Sequence, residues 1–277
     1  MSRFASAFAL IVTMTTAPAF AQSAPNAEID KLFTALGLPD IVEVMLEEGL
    51  AYSTTLGEEM LPVAAVRDWA DAAQSIYDPQ AMLDDVRDAF ETELQGDDLE
   101  AMLAFFTSEA GTRIIALEVS ARRALLNEAV EEASTQAATV QMRDETPRYL
   151  LVKDFVDAND LIESNVVGSL NSSYAFYTGL IDGGAMPAGV TRDTALQDVW
   201  AQEPDIRDST TEWIYSFLLM AYQPLSDAEL ETYIAFSKTE AGQQLTAALF
   251  VAFDGMFEDI SRALGLNISR LLLTQEL

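Results

Sequence analysis

Leu99-Glu100-Ala101-Met102-Leu103-Ala104-Phe105-Phe106-Thr107-Ser108-Glu109-Ala110-Gly111 is echoed later in the chain by Leu230-Glu231-Thr232-Tyr233-Ile234-Ala235-Phe236-Ser237-Lys238-Thr239-Glu240-Ala241-Gly242. The offset is 240 − 109 = 131 residues, and it also carries Trp69 onto Trp200 and Leu94 onto Leu225. Self-similarity at a fixed offset marks like modules rather than one irregular core. Upstream, Asp40-Ile41-Val42-Glu43 resembles Asp160-Leu161-Ile162-Glu163 at an offset of 160 − 40 = 120, so the second copy holds 131 − 120 = 11 extra residues. The Gly- and Pro-rich run from Asp182 to Gly189 is the natural place for them, because these residues punctuate elements. Two tandem modules follow, 28–148 and 149–277.

Both modules read as helical. Leu245, Leu249, Phe253, Met256, Phe257, Ile260 and Leu264 recur at steps of three and four, which places them on one face of a long helix. Leu99, Met102, Leu103 and Phe106 do the same earlier, and Trp213 to Tyr222 reads as a core helix. No series of alternating strands with tight turns stands out. The expected fold class is all-α, a helical bundle of two tandem, pseudo-symmetric modules meeting about a pseudo-twofold axis.

The repeated motif has a local physical meaning. Ser226 stands three residues before Glu229 ahead of an apolar run, the pattern of a capping box, and Asp97 before Glu100 is a looser version. One helix then runs into Thr107-Ser108-Glu109-Ala110-Gly111 or Lys238-Thr239-Glu240-Ala241-Gly242, where the chain turns and starts another. Ser108 and Thr239 are the expected N-caps, with Glu109 and Glu240 where the helix dipole favours an acid. Gly111 and Gly242, lacking a Cβ, let a neighbouring backbone come close.

Phe105, Phe106, Ser108 and Gly111 in the first copy, and Phe236, Thr239 and Gly242 in the second, resemble the signature of a bacterial exported family, the domain of unknown function numbered twenty fifty-nine. Its usual form is an apolar helix ending in Phe-Tyr-x-Ser-Pro-x-Gly before a basic residue. Glu109 and Glu240 replace the usual proline, and Ser237 replaces the second aromatic. Proline and glutamate both suit a first helical turn, so the corner is kept. The resemblance implies helical, exported modules and no established activity.

The front of the chain reads as a secretory signal over 1–21: Arg3, an apolar stretch from Phe4 to Val12, and the small residues Ala19 and Ala21 before Gln22. That stretch is far shorter than the ~20 apolar residues a bilayer requires, and no later segment reaches this length. The expectation is a periplasmic or secreted protein with no transmembrane segment after cleavage. Without cysteine, no disulfide and no lipid-modified cysteine is available.

The formal charge of −30 opposes binding to nucleic acid, whose main driving force is neutralisation of phosphates by Lys and Arg. The absence of histidine and cysteine removes the usual nucleophile–base pairs and almost every zinc site. No phosphate-binding or dinucleotide fingerprint is present, so no cofactor and no metal is expected. Asp157-Ala158-Asn159 starts like a calcium loop, but Leu161 holds a ligand position and the turn glycine is missing. Acid pairs such as Glu47-Glu48 and Glu131-Glu132 arise readily among 45 acids and read as solvated faces.

Trp69 and Trp200, and the stripe of Phe250, Phe253, Met256 and Phe257, are expected to fill the core, since bundles require large apolar residues at helical spacing. The function expected first is a noncatalytic envelope interaction or structural module, not an enzyme, with an unknown envelope protein as partner. A carrier or chaperone for an apolar ligand is the alternative, and requires an open apolar groove. A carboxylate-only hydrolase is a further alternative and requires two acids facing each other across a cleft.

Overall fold

The structure is a computed structural model describing residues 27–94, 99–187 and 189–274. The expected signal segment, with Ala19, Ala21 and Gln22, and the cap at Asp97 lie outside the described residues. The fold is all-α, with no strand among the described residues. In chain order the helices are α1 (Ala27–Ala35), α2 (Leu38–Met60), α3 (Val66–Ile76), α4 (Pro79–Glu93), α5 (Leu99–Phe106), α6 (Glu109–Ala124) and α7 (Glu128–Arg143). They continue with α8 (Pro147–Ala158), α9 (Leu161–Gly183), α10 (Arg192–Trp200), α11 (Glu203–Ala221), α12 (Asp227–Ser237) and α13 (Glu240–Thr274). Among the described residues, no helix is long and apolar enough to cross a membrane.

The two corners are built alike. The Ser108 hydroxyl accepts from the Gly111 amide at 3.1 Å and donates to the Phe105 carbonyl at 2.6 Å. Thr239 accepts from the Gly242 amide at 3.1 Å and donates to the Phe236 carbonyl at 2.7 Å. A Cβ on Gly111 would stand 2.2 Å from the Phe105 carbonyl oxygen, and one on Gly242 2.3 Å from that of Phe236. Glycine is therefore required because the preceding helix end folds tightly over the new one. Glu109 and Glu240 open the first turns of α6 and α13. Phe105 and Phe236, 236 − 105 = 131 residues apart, stack at 4.2 Å with their planes 12° apart. Phe106 meets Phe236 edge-on at 5.4 Å.

Each main core draws on both halves of the sequence. Residues of α1 to α5, among them Leu32, Met45, Trp69, Phe90 and Met102, pack against Leu245, Met256, Ile260, Leu264 and Ile268 of α13. Residues of α8, α11 and α12, among them Phe155, Leu218 and Leu230, pack against Ile114, Ala121 and Ala138 of α6 and α7. The sequence segments 28–148 and 149–277 thus contribute their last helices to each other's packing. Arg113 of α6 secures the exchange, pairing with Glu229 and donating to the Pro224 carbonyl at 2.9 Å, where the Ser226–Glu229 capping box starts α12.

The stretches that follow the two corners differ. Glu109 to Arg143 is a stretch of 143 − 109 + 1 = 35 residues, as long as the unbroken 35-residue α13. After the first corner this stretch breaks at Leu125-Leu126-Asn127, where the Asn127 side chain accepts from the amides of Ala129 and Val130 and starts α7 anew. An N-cap satisfies amides that a continuous helix would bond to its own carbonyls, so it fixes the break. Past the break α7 packs on α11, whereas the unbroken α13 packs against α9, α4 and α3.

This break corrects one expectation. Trp69 is buried and donates from Nε1 to the Ser53 carbonyl at 2.6 Å, but Trp200 is 58% exposed. α13 covers α3, whereas α7 packs on α11 and leaves α10 packed chiefly on α9.

Candidate functional site

An open cavity of about 1460 Å³ lies between α2, α6, α7, α9, α11 and α13. It exceeds the roughly 300–1,000 Å³ of ordinary ligand pockets. One wall is α13, which presents Leu249, Phe250, Phe253 and Phe257; facing strips come from Leu38, Ile41 and Met45 of α2 and from Ser169, Ser172 and Ser173 of α9. The phenylalanine stripe fills the core only in part: Met256 is buried and Phe253 and Phe257 pack against the core, but these two and Phe250 are half-buried and line open space. The cause is geometric. An α-helix turns 100° per residue, so residues three and four apart spread over a wide stripe, and a helix flanked on one side by α9 and α4 leaves the remainder of that stripe free.

Glu118 projects from α6 into the same cavity. The Tyr222 hydroxyl donates to its Oε1 at 2.6 Å, and Tyr233 is a second hydrogen-bond partner. Phe155 packs edge-on against Tyr222, with ring centroids 5.8 Å apart, and at a tilt against Tyr233. Desolvation raises the Glu118 carboxyl to about 7, outweighing the two tyrosine hydrogen bonds that favour the charged form. Protein surrounds this group closely, yet the side chain keeps partial exposure because it faces the cavity. Among the described residues, no Lys or Arg forms an ion pair with it. By contrast Glu48 on α2 is clamped by Arg122 at 2.9 and 2.6 Å, and Arg122 also lies 4.8 Å over the Trp213 ring.

Asp254 on α13, another acid of the cavity lining, is pushed up to about 6 by desolvation and by the charge of Glu258. Both shifts have the same consequence for stability. Each folded carboxyl holds its proton more tightly than the unfolded one, so the cost of burying it is absent below the unfolded value and grows as pH rises to the folded one. For Glu118 that window runs from 4.5 to about 7. Glu118→Gln is therefore expected to stabilise the fold above pH 7 by on the order of 2 kcal/mol, and to change little at pH 4. Urea unfolding at both pH values reads this; an equal difference at both would contradict the assignment.

The expected corner residues do not meet the cavity as a set. Phe106, Phe236 and Gly242 touch its edge, while Phe105, Ser108, Glu109, Thr239 and Glu240 do not line it. The corners position walls, and Glu118, Tyr222 and Tyr233 supply the polar centre. Among the described residues, no group of three or more acids is placed to share a metal ion.

These elements define an all-helical protein whose last helices are exchanged around an open, acid-bearing cavity. Residues 80–139 match the model of a family described as uncharacterized protein conserved in bacteria (DUF2059). That segment spans α4 to most of α7; it contains the first corner and Glu118 and ends before the second corner. Neither the curated proteins nor the solved structures provide a match to the chain.

Proposed function

We propose that the protein is a noncatalytic carrier of a ligand with an apolar chain, working in the bacterial envelope. The observation that carries this reading is the cavity wall of Phe250, Phe253 and Phe257, large apolar side chains held facing open space. An interaction or structural module, the function expected first from sequence, gives no reason to keep such a wall open. Removing a chain from water gains about 0.8 kcal/mol per methylene, so ten carbons contribute about 8 kcal/mol before the cost of association. A hydrolase would need a second acid opposite Glu118, whose hydrogen-bond partners are tyrosine hydroxyls. The signal read over 1–21 supports the envelope location.

Titration with the neutral fluorophore N-phenyl-1-naphthylamine tests the reading. Saturable binding to the native protein is expected, with displacement by 1-decanol and clear weakening in Phe253→Asp. Absence of saturable binding would remove the carrier function.

A further inference from the structure

The charges around the cavity select among apolar chains. Its lining holds seven acids, Glu48, Glu118, Glu128, Glu131, Glu132, Glu212 and Asp254, against the single base Arg122. Arg122 is already held in two hydrogen bonds by Glu48, so it is not free for an anionic headgroup. Glu128, Glu131, Glu132 and Glu212 are exposed, as a rim would be, while Glu118 is half-buried and bonded to Tyr222, on which Phe155 packs. A carboxylate offers about four acceptor positions, and two tyrosine hydroxyls leave part of that capacity open toward the cavity. A fatty acid entering this site would bring a further negative charge into a lining of the same sign, whereas an ammonium would be attracted by the rim and paired at the base.

We infer that the ligand is a cationic amphiphile, its chain against the α13 phenylalanines and its ammonium head at Glu118. This rests on the carrier reading and adds the sign of the headgroup to it. The groups facing Glu118 are Tyr222 from the end of α11 and Tyr233 from α12, with the Arg122–Glu48 pair one turn further along α6. A bound ammonium holds Glu118 ionised, so binding near neutral pH releases a proton from a carboxyl that burial otherwise keeps partly protonated.

Isothermal titration of the whole protein with decylammonium, 1-decanol and decanoate separates the two claims. The expected order is decylammonium tighter than decanol by at least about tenfold, with decanoate weakest. In Glu118→Gln the ratio of decylammonium to decanol affinity should fall about tenfold. For decylammonium alone, the heat at pH 7 should vary with the ionisation enthalpy of the buffer, which reports the released proton independently of any variant. If neither decanol nor decylammonium binds, the carrier reading itself fails. Decanol binding without an ammonium advantage, or an advantage fully kept in Glu118→Gln, overturns the cationic headgroup and leaves the carrier standing; the second result would trace the preference to the overall negative charge.

Discussion

Cut after Arg148, the first half of the chain is expected to show no cooperative unfolding transition. The core around Trp69 and Phe90 would lose Leu245, Met256, Ile260, Leu264 and Ile268 of α13, all buried. At about 2 kcal/mol or more for each large side chain lost, the deficit reaches or exceeds ~10 kcal/mol, against a total stability of about 5–15 kcal/mol for a folded domain. At the same time Ile114, Ala121 and Ala138 would be left without the α8, α11 and α12 surfaces they pack on. Circular dichroism through a thermal scan decides it: a broad, non-cooperative loss of helix is expected. A soluble half with a sharp melting curve would mean that the shared cores are dispensable. Co-refolding 27–148 with 149–277 should restore the transition, because every contact of the intact chain is then available again.

A single added methyl group should also have a large effect, where α9 and α13 cross. A Cβ on Gly265 would stand 2.1 Å from the Phe176 carbonyl oxygen, and one on Gly179 2.2 Å from that of Arg262, so each glycine admits the opposite backbone. Neither obstacle is a side chain that can rotate away; the helices must separate. Gly265→Ala is expected to cost about 3 kcal/mol, roughly 6–12 °C in melting temperature for a chain of this size. Gly255, on the same helix, would meet nothing within 4 Å. There the same substitution should stabilise by up to about 1 kcal/mol, through helix propensity alone. Thermal melts of the two variants check the contrast, and a shift in the same direction for both would show that the crossing has room to spare.

What sequence conveyed was local chemistry. Ser108, Thr239, Gly111 and Gly242 act within a few residues of themselves, so their spacing is enough to place a cap and a tight turn. The long helix beyond Glu240 was readable from its period for the same reason, and the core helix from Trp213 to Tyr222 from its apolar run. Partner choice was not, because an offset of 131 residues identifies equivalent segments without saying which core each enters. Nor was the break at Leu125-Leu126-Asn127 read from sequence, although Asn127 followed by Glu128 and Glu131 is a helix-start signal that could have located it. From that break follows the exposure of Trp200. Glu118 was indistinguishable among 45 acids, since nothing in its neighbours' identities shows that Tyr222 and Tyr233, more than a hundred residues away, come to surround it.

The exchange of final helices also sets the order in which the chain can become native. A polypeptide threaded N-terminus first presents α1 to α5 long before α13, and these helices have no complete apolar surface to close upon until Ile268 has emerged. Native contacts of such long sequence separation are reached late and slowly. During that interval the apolar faces carrying Leu32, Trp69 and Phe90 stand uncovered, so the protein must be kept from aggregating until its own last helix arrives to act as the closing piece.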